Sequence, residues 1–352
     1  MPNQQIVFSN NITEELEKII GSIQHNKLFF LTDENSVKFA LPLISENIRK
    51  KANTITIPSG DANKNLETLS FVWSELQARG ATRNSLMVNL GGGVVTDLGG
   101  FAAATFKRGL KFVNVPTTLL SAVDAAVGGK TGINFNGLKN EIGTFREADA
   151  VLIATAFLKT LPEKQVKSGY AEMLKHGLLS SYKSYRKLIE FNISELSEDR
   201  LLTLLEESVG VKRKIVEQDP FEKGLRKALN LGHTAGHAFE SLALKKGEPI
   251  PHGYAVAWGL VVEMILSKLI KDLDSNILYE LADYTYSHYG AFNITCNDYQ
   301  MLCNIMRHDK KSENGEYNFS LISNPGNVYV DCIISEDDVK TALDIYRDLM
   351  HI

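Results

Sequence analysis

Three of the eight histidines in this 352-residue chain, His233, His237 and His252, fall within twenty residues of one another. They lie in EKGLRKALNLGHTAGHAFES and the EPIPHG that follows, in the company of Glu222, Arg226 and Asn230. Helical positions four apart share a face, so His233 and His237 could present two imidazoles to one divalent ion, typically zinc. A histidine pair on a helix is more often ordinary packing than a ligand set, but the polar neighbours here favour a site. Thr234 follows the first histidine, so the HExxH arrangement of a metalloprotease is absent. On one continuous helix, Arg226, Asn230, His233 and His237 would form a stripe that is normally apolar. A polar stripe in that place reads as a cavity wall.

Four further segments carry residue types with chemical uses. NLGGGVVTDLGGF (Asn89–Phe101) runs from an apolar stretch into three glycines and then a helical pattern, which suits close approach of a pyrophosphate to backbone N–H groups. It lacks a full GxGxxG and the GKS/T ending of a P-loop, so a plain tight turn is an equal reading. VPTTLLSAVDAAVGGKTGINFNGLKNEIGTF (Val115–Phe145) strings Thr117, Thr118, Asp124, Lys130, Lys139 and Asn140 along a polar, glycine-rich segment. GYAEMLKHG places Glu172 and Lys175 three apart on a helix, where a weak surface ion pair is the default. HDKK (His308–Lys311) alone reads as solvated surface.

The elements that must position these residues change character along the chain. Lys27–Thr32, Thr54–Pro58, Ser85–Leu90, Phe112–Val115 and Ala150–Ile153 read as short buried strands, with a helical stretch at Asn65–Arg79. Such alternation predicts a mostly parallel sheet covered by helices, an α/β Rossmann-like domain over residues 1–161. From Pro162 onward, helical periods dominate: Glu163–Ser181, Ser194–Gln218, Arg226–Leu244, His252–Asp274 and Asn276–Tyr289. The reading is an all-α domain over residues 162–352, with a short hairpin around Asn324-Pro325-Gly326.

Composition narrows the class. Hydrophobic residues make up 44% and charged residues 23%, with 38 Lys+Arg against 42 Asp+Glu for a net charge of −4. No basic field is available for nucleic acid or an anionic membrane, so anionic ligands must be met by local clusters. Three scattered cysteines fit a reducing compartment. No signal peptide or run of about 18 apolar residues is seen, and a cytoplasmic enzyme is expected.

Together these motifs, with Arg108-Gly109 and His252-Gly253, resemble the 3-dehydroquinate synthase family in order and spacing over residues 27 to 331. The resemblance implies an N-terminal NAD-binding domain, a helical C-terminal domain, a homodimer, and one divalent metal, zinc with Co2+ as the alternative. By motif position the metal ligands would be Glu172, His233 and His252, with His237 turned to the substrate phosphate. NAD would lie against Gly92, Gly93, Val94 and Asp97, with Thr117, Thr118, Lys130, Lys139, Phe157 and Thr160 nearby. Asp33, Asp61 and Lys64 match the adenosine side. The implied substrate is 3-deoxy-D-arabino-heptulosonate 7-phosphate, a sugar acid phosphate. Lys130, Asn140, Lys175, Asn230 and His237 would surround its phosphate, with Arg108 reaching over from the other subunit. Lys212, Arg226 and Lys310 or Lys311 would serve its carboxylate and hydroxyls, Asp124 would orient hydroxyls or Lys130, and Glu222 would lend support. The reaction so implied is oxidation by NAD, phosphate elimination, reduction, ring opening and aldol closure. Asp61, Ser168 and Tyr254 depart from many members. Another sugar phosphate cyclase, or a glycerol-dehydrogenase-like oxidoreductase, is the alternative. The retained cations favour the sugar acid phosphate.

Overall fold

The computed structural model describes residues 4–193, 198–307 and 316–352. The chain divides into two compact units, Met1–Pro162 with Leu196–Val209, and Glu163–Glu195 with Gly210–Ile352.

The first unit contains β1 (Gln5–Phe8), β2 (Leu28–Asp33), β3 (Ala52–Ile57), β4 (Leu86–Gly91), β5 (Lys111–Pro116), β6 (Lys130–Phe135), β7 (Leu138–Phe145) and β8 (Ala150–Ile153). Its helices are α1 (Ile12–Ser22), α2 (Glu34–Phe39), α3 (Glu46–Lys51), α4 (Leu66–Ala78) and α5 (Gly93–Thr105). Six strands make one all-parallel sheet in the order β1-β8-β5-β4-β2-β3. A parallel sheet is covered on both faces, which is why β4 and β8 are buried at every residue. Phe30, Val88, Val113 and Leu152 pack with Ile12, Leu16 and Ile48 in the core on one side. The chain leaves β2 toward β3 and leaves β4 toward β5, on opposite sides. This reversal opens a crevice outside the carboxyl ends of β2 and β4, where open α/β sheets take their ligands. Asp33 ends one of those strands and Gly91 the other.

β6 and β7 form a separate antiparallel hairpin within the segment read as polar and glycine-rich. Its turn, Asn136-Gly137, has φ of 49° and 80°, the mirror-image turn that suits the twist of a hairpin. The Asn-Gly pair is the sequence signal for it. β1 is only four residues long and no residue of it is fully buried, although Ile6, Val7 and Phe8 are apolar.

The second unit holds α6 (Glu163–Ser180), α7 (Tyr182–Ile189), the C-terminal part of α8 (Glu198–Gln218), α9 (His233–Lys245), α10 (His252–Lys271), α11 (Ser275–Tyr289), α12 (Tyr299–Arg307) and α13 (Glu336–Leu349). An antiparallel pair, β9 (Tyr317–Asn324) and β10 (Asn327–Ile334), makes the unit helical with one hairpin, not strictly all-α. α10 is long and apolar enough to span a membrane by composition, yet 78% of that stretch is buried inside the protein. It is the central core helix. The helix expected over Arg226–Leu244 is interrupted: Leu225–Asn230 is a tighter 3-10 turn, and Gly232 sits at φ 79° before α9 begins. The continuous stripe of Arg226, Asn230, His233 and His237 therefore does not exist. Only the two histidines share a helix.

Candidate metal centre and glycine turn

In the second unit three helices deliver one donor each to a common point. Glu172 lies mid-way along α6, while His233 and His252 are the first residues of α9 and α10. Glycine allows this convergence. A Cβ on Gly253 would sit 1.8 Å from the Ser168 carbonyl oxygen, and one on Gly259 would sit 2.1 Å from that of Gly232. Helix backbones can cross this closely only where side chains are missing.

His233 Nε2 is 3.3 Å and His252 Nε2 is 3.4 Å from the same oxygen, Oε1 of Glu172. These donors all lie within 4.8 Å of one another. His233 Nδ1 is 3.1 Å from the Leu231 carbonyl, which can only accept, so Nδ1 carries the proton and Nε2 faces Glu172 with its lone pair. On His252, Nδ1 lies 3.5 Å from Glu240 Oε2, again leaving Nε2 inward. Glu172 is fully buried, and neither carboxylate oxygen receives a well-directed hydrogen bond, although Lys175 Nζ is in contact with Oε2. A buried carboxylate oxygen without a well-directed hydrogen bond, facing two imidazole nitrogens, fits a divalent cation, and two histidines with one carboxylate are a zinc-type donor set.

Charge states follow from the surroundings. Burial opposes ionisation of Glu172, but the neighbouring ammonium of Lys175 outweighs it and holds the carboxyl well below its usual range. Burial, reinforced by Lys175, pushes His233 down to about 4. Burial also opposes the charged form of His252, yet Glu172 and Glu240 on its two nitrogens raise it to about 10.

His237, one turn along α9, packs beside this point, its ring 5.4 Å from that of His233 and 6.0 Å from that of His252. The spacing-based pairing of His233 with His237 is thus replaced: Glu172 and His252 share the ligand cluster with His233. Nor is Glu172–Lys175 a surface pair, since its side chains are 0% and 2% exposed. Lys212 and Arg226 are buried cations. Asp219 accepts from the backbone N–H of Lys223, Gly224 and Arg226, shaping the turn that holds Glu222 at φ 58°. Arg226 Nη1 donates to Pro220 O, and Asn230 Nδ2 donates to Glu222 Oε1 at 3.3 Å. Lys310 and Lys311 lie outside the described residues.

The first unit gathers a different set. Gly92 precedes α5 without a side-chain cap, so the first-turn N–H groups of α5 at Gly93 and Val94 have no capping side chain. None of Gly91, Gly92 and Gly93 has a positive φ, so these glycines are not demanded by backbone conformation. Thr117 N donates to Gly91 O, and Thr118 lies where a Cβ on Gly92 would meet it. Lys64 Nζ bonds Asp97 Oδ2 at 2.9 Å and also donates to Asn140 Oδ1. Lys139 lies 3.7 Å from Asp61, whose side chain also accepts from Asn134. The hairpin is thereby tied to the loop before α4.

Other expected positions are placed differently. Asp33 Oδ1 caps α2 through Ser36, which commits one of its oxygens. Phe157, expected beside NAD, is 2% exposed and packs in the hydrophobic core of the first unit. Thr160 ends the 3-10 turn Thr155–Thr160, Asp124 sits in a wide turn at Ser121–Ala125, and Lys130 begins β6. Arg108 is exposed, at φ 69°.

Sequence reasoning missed Glu240, Glu263 and Asp219. Glu240 lies seven residues after His233 and so on the same helical face. Glu263 is a lone acid in the apolar run of α10.

Comparison with known proteins follows the same division. A family model described as 3-dehydroquinate synthase N-terminal matches residues 54–168, and one described as 3-dehydroquinate synthase C-terminal matches residues 169–312. A 3-dehydroquinate synthase of Parabacteroides distasonis is 46% identical over 349 residues, 99% of either chain. Among solved structures, a 2-epi-5-epi-valiolone synthase from Streptomyces hygroscopicus with NAD+ and Zn2+ bound matches with a TM-score of 0.88 at 22% identity, over 99% of this chain and 98% of that one. A 2-deoxy-scyllo-inosose synthase complexed with carbaglucose-6-phosphate, NAD+ and Co2+ matches at 0.82 and 23% identity, over 96% and 95%. At those identities the two structures speak for the fold.

Proposed function

We infer the chemistry of this site from one premise: the chain belongs to the 3-dehydroquinate synthase family. Its activity is that family's, conversion of 3-deoxy-D-arabino-heptulosonate 7-phosphate to 3-dehydroquinate with release of inorganic phosphate. The observation that carries the metal assignment is the buried carboxylate of Glu172 with one oxygen, Oε1, facing Nε2 of both His233 and His252. These three residues hold the divalent metal, Zn2+ or Co2+, and the α5 N-terminus with Gly92, Gly93 and Val94 receives the pyrophosphate of NAD. When bound, NAD accepts and later returns a hydride, while the metal is a Lewis acid toward substrate hydroxyls.

The chain's own residues then bind and orient. Lys175, already held against Glu172, together with Asn230 and His237, offers donors to phosphate oxygens in the second unit. Arg226 and Lys212 are the buried cations for the carboxylate, with Lys310 or Lys311 as a further candidate. Glu222 sets the direction of the Asn230 amide. In the first unit Lys130 and Asn140 are assigned to phosphate, Arg108 to the partner subunit's substrate, and Asp124 to orienting Lys130. Lys64 with Asp97, together with Asp33, Asp61, Lys139, Thr117, Thr118, Phe157 and Thr160, is assigned to NAD. A ligand with phosphate and carboxylate groups needs such local cations in a protein with a net charge of −4.

The homodimer is also a proposal. The second edge of β7 pairs with no strand among the described residues, and Leu138, Ile142 and Phe145 are exposed along it. Open edges of this kind invite pairing with a second copy. Light scattering should report twice the chain mass, and a monomer would discard the assignment.

The activity is tested by following phosphate and NADH together on the heptulosonate phosphate with NAD and zinc. Many turnovers of phosphate without net NADH are expected, because the redox cycle closes on itself. NADH accumulating without phosphate would overturn the reading in favour of a dehydrogenase.

Metal binding has a proton signature. Near neutral pH His252 carries its extra proton, whereas His233 and Glu172 are already in their ligand forms. Zinc should therefore displace about one proton per site. Calorimetry in buffers of different ionisation heat measures this directly, and no proton release would remove His252 from the ligand set.

A further inference from the structure

α9 begins with a glycine in the left-handed region, and Gly232 has no side chain with which to cap the helix. The cap comes from a neighbour instead. Glu263 on α10, 0% exposed, reaches across to accept from Gly232 N at 2.6 Å through Oε2 and from Ala235 N at 3.3 Å through Oε1. These two donors bracket His233. One turn earlier on α10, Gly259 permits the approach, since a Cβ there would collide with the Gly232 carbonyl. The other histidine-bearing helix is treated in the same way. α10 starts after Pro251, which offers no side-chain cap, and Gly253 N donates to Ser168 Oγ of α6 at 3.1 Å. Each ligand histidine is thus the first residue of a helix whose N-terminus is anchored by a buried side chain from a neighbouring helix.

The two anchors differ in charge. A carboxylate at a helix N-terminus is favoured by the partial positive charge of the unpaired N–H groups. Two charge-assisted hydrogen bonds from one rigid side chain also fix the turn more firmly than a single cap. His233 has its Nδ1 directed to the Leu231 carbonyl inside this turn, so the direction of Nε2 depends on how rigidly Gly232–Ala235 is held.

We propose that Glu263 is a positioning residue for the metal centre, capping the first turn of α9 from α10 and thereby aiming His233 Nε2 at the point shared with Glu172 and His252. The proposal rests on the metal assignment made above. Glu263 is not one of the three clustered donors. Its effect passes through the backbone of the ligand's own turn, as outer hydrogen bonds commonly orient metal ligands.

The test is Co2+ binding to the metal-stripped full chain, comparing wild type with Glu263→Gln. Dissociation constant, the visible cobalt absorption band and the melting temperature of the metal-free protein are measured. Gln keeps one accepting oxygen and loses the charge, so affinity should fall by about 10- to 100-fold, with a changed cobalt band. An unchanged constant and band, with only a lower melting temperature, would show a purely structural cap and overturn the proposal. Failure of wild type itself to bind Co2+ would instead overturn the metal assignment, and this inference with it. Should the Gln variant not fold, Glu263→Met removes both acceptors in an apolar side chain of similar length. Its loss of affinity should be at least as large, and wild-type affinity there would equally refute the idea.

Discussion

Replacing His233 with Ala should yield a folded protein with almost no bound metal and no measurable turnover. His233 is the donor whose Nε2 is already neutral and aimed inward, so its loss leaves only Glu172 and His252 in the cluster. A two-donor remnant is too poor for zinc, which takes at least three protein ligands in catalytic sites. The affinity loss should exceed the roughly 10–100-fold typical of removing an outer partner. The fold should survive, because the Glu263 cap binds the N–H groups of Gly232 and Ala235, which the substitution leaves in place, and Ala is a good helix former. Metal content per chain and circular dichroism check both halves. A full complement of tightly bound metal in this variant would refute the ligand set.

The second large effect concerns Lys175, and it should depend on whether metal is present. Lys175 and Glu172 are a buried pair on one helix, three residues apart, with almost no exposure. Removing one partner from such a pair typically costs about 3–5 kcal/mol, because the other charge is left buried and uncompensated. Lys175→Met should therefore destabilise the metal-free protein by about that amount. With zinc bound, the cation compensates Glu172, and the loss should shrink markedly. Turnover of the zinc-loaded variant should fall, since a donor assigned to the phosphate is gone. Denaturant unfolding with and without zinc measures the difference. Equal destabilisation in both states would mean that metal and Lys175 do not act on the same carboxylate.

Much of this was legible before any coordinates. β2, β4 and β8 stand out because a parallel sheet buries both faces of its inner strands, while the edge strand β3 shows the alternation of ANTITI instead. β1 did not stand out, since its run of Ile6, Val7 and Phe8 is only three residues long. The β6–β7 hairpin was overlooked although Asn136-Gly137 announces it. Its flanks are largely exposed, so the usual apolar alternation is missing. At the site, residue spacing paired His233 with His237, and only the family resemblance pointed to Glu172 and His252. Glu240, Asp219 and Glu263 went unread, because an isolated acid carries no motif.

What the linear order of residues settled was chemical identity and local period: a parallel α/β half, a helical half, and a set of imidazoles, carboxylates and cations that suits a phosphorylated sugar acid. Periodicity reaches only along one element. Which histidines meet at one oxygen of Glu172 was decided by three helices crossing at Gly253 and Gly259, where backbones come closer than any side chain would allow. The same crossing carries Glu263, 30 residues beyond His233, to the N–H groups on either side of it. That contact exists only once α9 and α10 have packed, because it joins the end of one helix to the middle of another.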